Sequence, residues 1–168
     1  MSDRFWLRVP REVRLPGVDP SDALLLEILE ATSTIAMVGA SPVPERASYS
    51  VMRFLQSQGY CVSPVNSRCI EEAILGERVY RSLADVPGPV DMVDVFRNSR
   101  EAGTVTDEAI ALARDKGVHT LWMQLGVRDD AAAARASAAG IQVVMDRCPK
   151  IEFLRLGARR RDLREGGR

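Results

Sequence analysis

The chain of 168 residues has no surplus of charge of either sign. Its 23 basic and 23 acidic side chains cancel. A general nucleic-acid binder carries a clear basic excess, so no nucleic-acid partner is expected. Cysteine is scarce: Cys61, Cys69 and Cys148 are too few and oddly numbered for a disulfide framework. One histidine, His119, and three scattered cysteines offer no zinc-type ligand spacing. No apolar run approaches the roughly 18 residues that span a membrane, so no membrane association is expected. The first residues, MSDRFWLRVPREVRLPG, mix charge with proline and have no apolar signal core, and the expected location is cytoplasmic. Also missing are a G-x-G-x-x-G fingerprint, a Walker loop and a G-x-S-x-G elbow.

What is there is ordinary for a globular protein: 46% hydrophobic and 27% charged residues. A chain of this length forms one domain that buries roughly two thirds of its unfolded surface. Residues 1–18 read as an arm, with Phe5 and Trp6 as anchors. Residues 19–156 read as the single domain, and residues 157–168 as a disordered tail.

The organising stretch is residues 34–59. Ile35, Ala36, Met37 and Val38 make a short apolar run suited to a buried parallel strand. Gly39 ends it, a loop with Ser41, Arg46 and Ser48 follows, and Val51, Met52, Phe54 and Leu55 then recur at helical spacing up to Gly59. Strand, small-residue loop and helix form the first half of a βαβ unit, whose helix N-terminus suits a phosphate.

Around it, Asp19-Pro20-Ser21-Asp22 reads as a helix start with Asp19 as N-cap and Pro20 at the first helical position. Further strands are expected at 60–66, 90–96, 118–123 and 141–145, with the proline at 64 marking the end of regular pairing. Residues 75–80 suit a turn and a short edge strand, and residues 82–86 one helical turn. Helices are expected at 100–116, over the alanine-rich DDAAAARASAAG, and in a short piece at 151–156. This alternation predicts an α/β fold: a doubly wound, mostly parallel five-stranded sheet with flanking helices and right-handed crossovers.

Ligands of such sheets bind beyond the carboxyl ends of the strands, at the topological switch point. That rule selects residues 39–48, 64–68, 96–99 and 124–126. An NAD site places an acid after the second strand. Here Pro64-Val65-Asn66-Ser67-Arg68 stands instead, and Arg68 suits a phosphate as a bidentate donor. Ser41, Arg46 and Ser48 add donors on the other side, a set that fits a phosphorylated adenosine other than NAD. Taken singly, Gly39 serves a tight turn, Ser48 an N-cap and Arg46 a solvated surface. Their convergence on one sheet edge is what selects them.

Catalytic constellations are thin. His119 falls in a predicted strand away from the carboxyl end. Asp91 and Asp94, three apart, point to opposite faces of a regular strand and make no carboxylate pair. Cys148 is the reactive-thiol candidate, since Arg147 and Lys150 beside it favour a thiolate, and a small core residue is its other reading.

Taken together, VGASPVPERASYSVMRFLQSQGY, PVNS, ILGERVYRSLADVPGPVDMVDVFR, WMQLG and VVMDRCPKIE resemble, in order and spacing, the small stand-alone CoA-binding proteins. Those proteins are similar to the CoA-binding domain of the succinyl-CoA synthetase alpha subunit. The resemblance covers residues 34–156 and implies a Rossmann-like sheet with coenzyme A as cofactor. By motif it places Gly39, Ala40, Ser41, Arg46, Ser48 and Tyr49 near the CoA phosphates. Pro64, Val65, Asn66, Ser67 and Arg68 then face the adenosine end, and Val95, Phe96 and Arg97 line the ligand. Gln124 and Gly126 fall nearest the pantetheine side. Val43 stands where the family often has lysine, Ser67 where proline commonly follows the asparagine, and Phe153 where a histidine is frequent. The synthetase's phosphohistidine segment has no counterpart, so the resemblance implies binding of CoA or acyl-CoA without ligase catalysis. Two other readings stay open. One is a CoA-linked transferase or thiol-redox protein using Cys148 with the CoA thiol. The other is a regulatory module whose Phe5-Trp6 arm docks a partner protein.

Overall fold

Helix α1 (Asp22–Ala31) begins two residues later than the sequence suggests. Its N-cap is Ser21, whose hydroxyl accepts the Leu24 N–H at 3.3 Å, rather than Asp19. The coordinates are a computed structural model, and residues 19–160 are described. The expected arm at residues 1–18, with Phe5 and Trp6, lies outside the described residues.

Five strands form one parallel sheet: β1 (Thr34–Val38), β2 (Cys61–Val65), β5 (Met92–Val95), β6 (Thr120–Met123) and β7 (Gln142–Val144), in the order β2-β1-β5-β6-β7. Between β2 and β5 the chain makes a hairpin of β3 (Ala73–Ile74) and β4 (Glu77–Arg78). Its two-residue turn, Leu75-Gly76, has both residues at positive φ, the geometry that matches strand twist. Pro64 sits inside β2, opposite Met37, instead of ending the pairing. β2 is the edge of the five-stranded sheet, where proline is tolerated, and the Pro64 carbonyl accepts the Tyr80 N–H at 2.9 Å.

The crossovers are α2 (Ala47–Ser57), α3 (Ser99–Lys116) and α4 (Asp130–Ala138), and α5 (Pro149–Leu156) follows β7. The Asn98 side chain caps α3 by accepting the Glu101 N–H at 3.0 Å and donates its amide N–H to the Glu101 carboxylate at 2.9 Å, and Gly117 ends the helix in the left-handed conformation. Alternation along each strand divides the core in two. Ile35, Met37, Val62, Met92, Trp122 and Val144 pack under α1, α2 and α5. Ala36, Val38, Val65, Val93, Val95, Leu121 and Met123 pack under α3 and α4. This is the doubly wound, Rossmann-like α/β architecture that the strand–helix alternation predicts.

Helix α5 starts at Pro149 rather than residue 151, with proline at its first position. The chain stays packed past it, where a disordered tail was expected: Ala158 is buried and the Arg160 guanidinium stacks 4.8 Å from the Tyr60 ring. Residues 161–168 lie outside the described residues. Among the described residues no helix is long and apolar enough to cross a membrane.

Candidate functional site

The strand order reverses beside β1, so the crevice between the carboxyl ends of β1 and β5 is the switch point. There Gly39 has φ +90°, and a Cβ on it would lie 2.1 Å from the Phe96 carbonyl oxygen. Glycine is required for this close approach of two loops. The Gly39 N–H donates to the Val65 carbonyl and the Phe96 N–H to the Val38 carbonyl, each at 2.8 Å.

Asn66 ties the neighbouring loops together. Its amide nitrogen donates to the Ala40 carbonyl at 2.8 Å. Its oxygen accepts the Arg68 N–H at 2.9 Å and the Arg97 guanidinium at 3.2 Å. One side chain thus fixes the exits of β1, β2 and β5. In the first loop the Ser48 hydroxyl accepts the Ser41 N–H at 3.1 Å, and Ser41 in turn accepts the Val43 N–H. The N-cap of α2 is Arg46, not Ser48; its side chain makes no capping bond, and no acid stands in the first turn. No acid of the first turn offsets the positive end of the α2 dipole.

Next to the α2 N-terminus opens a cleft of about 490 Å³. Its walls are Ala47, Ser50 and Val51 of α2, Phe96 and Arg97 after β5, Gln124, Leu125 and Val127 after β6, and Cys148, Lys150 and Ile151 at the start of α5. Of the residues selected from the sequence, Phe96, Arg97 and Gln124 line it. Gly39, Ala40, Ser41, Arg46, Ser48 and Tyr49 form the loop and first turn leading into Ala47. Asn66 forms the bridge, and Ser67 and Arg68 follow it, with Arg68 75% exposed and ion-paired to Glu101 at 3.2 Å. The side chains of Ala40, Pro64, Val65 and Val95 are buried, so these four offer a ligand at the edge only their backbone. Gly126 lies outside the cleft and gives its N–H to Asp146 at 2.7 Å.

The α5 wall holds Cys148 and Lys150, singled out from the sequence for thiol chemistry, and adds Ile151, which was not. Lys150 donates to the Ser50 hydroxyl at 3.2 Å and lies 5.6 Å from the Phe54 ring, bridging two helices at the cleft. Asp94, set aside in the sequence because it makes no carboxylate pair with Asp91, is wholly buried. Asp94 Oδ1 accepts the Gln124 side-chain N–H at 2.8 Å, and Oδ2 has no partner. Burial pushes this carboxyl up to about 7, against the opposing pull of the Gln124 hydrogen bond. Asp91 does different work: its carboxylate accepts the Ser33 and Thr34 N–H groups.

The expected activation of Cys148 is not what the surroundings produce. Burial raises its thiol pKa, and the backbone N–H groups of Ile151 and Lys150 and the Lys150 charge do not overcome it. Arg147 points elsewhere, to Glu152 at 3.2 Å. His119 directly precedes β6, at the amino end of the sheet, where burial lowers its pKa. Among the described residues no cluster of side chains could hold a metal ion.

Comparison with known proteins places the chain in a family. Residues 33–153 match the model of the CoA binding domain. Uncharacterized protein YneT of Bacillus subtilis is 36% identical over 133 residues, covering 79% of this chain and 94% of that protein. A hypothetical protein from Pyrococcus horikoshii superposes with a TM-score of 0.76 at 35% identity, covering 85% of this chain and 96% of that one. The ADP-forming acetate–CoA ligase II alpha subunit of Pyrococcus furiosus is 42% identical over 59 residues, which is 34% of this chain and 12% of that subunit. The chain belongs to the CoA-binding domain family, with the domain type also carried by the alpha subunits of ADP-forming acetate–CoA ligases.

Proposed function

We propose that this protein binds coenzyme A, free or acylated, along the carboxyl edge of the sheet, as a binding module without chemistry of its own. The observation that carries the reading is the family match across residues 33–153, which includes every segment of that edge. The uncapped α2 N-terminus and the Ser41–Ser48 loop take the phosphates. Arg68 and Arg97, linked through Asn66, meet the adenosine end, where a ligand phosphate would compete with Glu101 for Arg68. The pantetheine arm runs into the cleft between α2 and α5, whose walls are mostly apolar. The raised thiol pKa of Cys148 supports binding over thiol chemistry.

Calorimetric titration of the purified protein with CoA, with NAD and ATP as controls, tests the proposal. Micromolar CoA binding with silent controls is expected. NAD binding without CoA binding would overturn it.

A further inference from the structure

We propose that Asp94 is a positioning residue that turns the Gln124 amide so that its carbonyl oxygen faces the cleft, where it accepts an amide N–H of the pantetheine arm. This rests on the CoA reading above and names the contact that reads the arm.

Asp94 is wholly buried under the α2 and α5 side of the sheet, opposite Met37 and Trp122 in the neighbouring strands. Burying a carboxyl is unfavourable unless hydrogen bonds compensate it. Here one bond does so, from Gln124, while Oδ2 has no partner. The side chain therefore does little for the fold beyond holding Gln124. Gln124 presents its NH₂ end to Asp94, its side-chain nitrogen donating to Oδ1. Its oxygen is the end left over. Among the described residues no donor reaches that oxygen, and Gln124 lines the cleft. Around it the apolar walls are Ala47, Val51, Phe96, Leu125, Val127 and Ile151, with Ser50, Arg97, Cys148 and Lys150 completing the lining. An acceptor fixed in largely apolar walls selects a ligand that brings a donor to that point. The pantetheine arm has two amide N–H groups on an otherwise largely apolar chain, and fits this pattern. Burial pushes the Asp94 carboxyl up to about 7, and Oδ1 accepts from Gln124 in either protonation state.

Titrating CoA and adenosine 3′,5′-bisphosphate, which lacks the arm, separates this role from a structural one. Asp94→Leu and Gln124→Leu should each weaken CoA about fivefold to tenfold, the range of one net hydrogen bond, and leave the bisphosphate within about twofold. Asp94→Asn should recover most of the CoA loss, because its Oδ1 still accepts from Gln124. If Asp94→Leu lacks a cooperative melt by circular dichroism, Gln124→Leu and Gln124→Met carry the comparison. Equal losses for both ligands, or no loss for CoA, would overturn the inference. So would wild-type protein binding CoA no more tightly than the bisphosphate, a result that leaves the CoA reading standing. Wild-type protein that binds neither ligand would remove the CoA reading and this inference with it.

Discussion

Asp94→Asn should stabilise the protein in a pH-dependent way. The native carboxyl is held at about 7 by burial, above its ordinary 3.8. A folded-state pKa that is raised means stability that is fully present below the unfolded value and is lost as pH rises through the folded one. At ~1.4 kcal/mol per pH unit, the full loss above neutrality is on the order of 4 kcal/mol. Between about pH 5 and about pH 8.5 the loss amounts to roughly 2–3 kcal/mol, because part of it has already occurred by pH 5. Asparagine is nearly isosteric, keeps an acceptor for Gln124 and does not titrate. The assay is urea unfolding of both proteins across this range, with the difference in free energy plotted against pH so that other titrating groups cancel. The variant should gain on the wild type as pH rises and level off above about pH 8. A difference that stays constant from acid to alkaline pH would refute the reasoning, since Asp94 would then not titrate from a buried site.

Gly39→Ala should cost more than about 2 kcal/mol in the same unfolding assay, because the added methyl meets backbone rather than a movable side chain; a loss under half that would show that the loops can separate freely. Arg46→Ala and Arg68→Ala should each weaken CoA, by about 1.5–3 kcal/mol for a charge-assisted contact, with CoA losing more than dephospho-CoA for whichever residue meets the 3′-phosphate. Equal losses for the two ligands would remove that role. Arg68→Ala should change stability by less than about 1 kcal/mol, since its ion pair with Glu101 is exposed. Cys148 should react with iodoacetamide at neutral pH more slowly than an exposed small thiol, because its buried thiol resists ionisation; faster reaction would reinstate a thiolate there.

Much of the fold was legible because each central strand is a short apolar run closed by small or polar residues. Ile35-Ala36-Met37-Val38 before Gly39 announces β1 as a strand buried on both faces. The ends of strands were less legible. Val90 and Asp91 look like strand, yet their N–H groups donate to Lys116 and Thr34 carbonyls before the regular ladder starts at Met92. The packing of α5 against α2 was hidden for a different reason: Lys150 meets Ser50 across 100 residues of chain, a juxtaposition that no local pattern encodes. Asp91 and Asp94 present the same problem in miniature. Both are acids beside apolar residues three apart, and spacing alone says that they face opposite ways. Which one is exposed enough to take backbone N–H groups, and which one is sealed under two helices, depends on the layers packed above the sheet.

The departures from the family pattern bear on function once their surroundings are known. Ser67 replaces a common proline, but the turn it belongs to is closed by the Asn66 side chain accepting the Arg68 N–H, so the edge keeps its shape. Val43 lies exposed in the first loop, where a family lysine would add a cation and valine adds none. Phe153 stands where a histidine is frequent, and its ring packs edge-on against Phe54 at 5.6 Å and Tyr60 at 6.3 Å. That exchange removes a titratable group from α5 and adds aromatic packing. The sole histidine of the chain, His119, lies at the other end of the sheet from Cys148. A thiol whose pKa is raised by burial needs a base within hydrogen-bond reach to act as a nucleophile. Lys150, the nearest cation, is engaged with Ser50. Under the proposed reading of this protein as a CoA binder, these contacts leave the cleft thiol buried and without an activating base beside it.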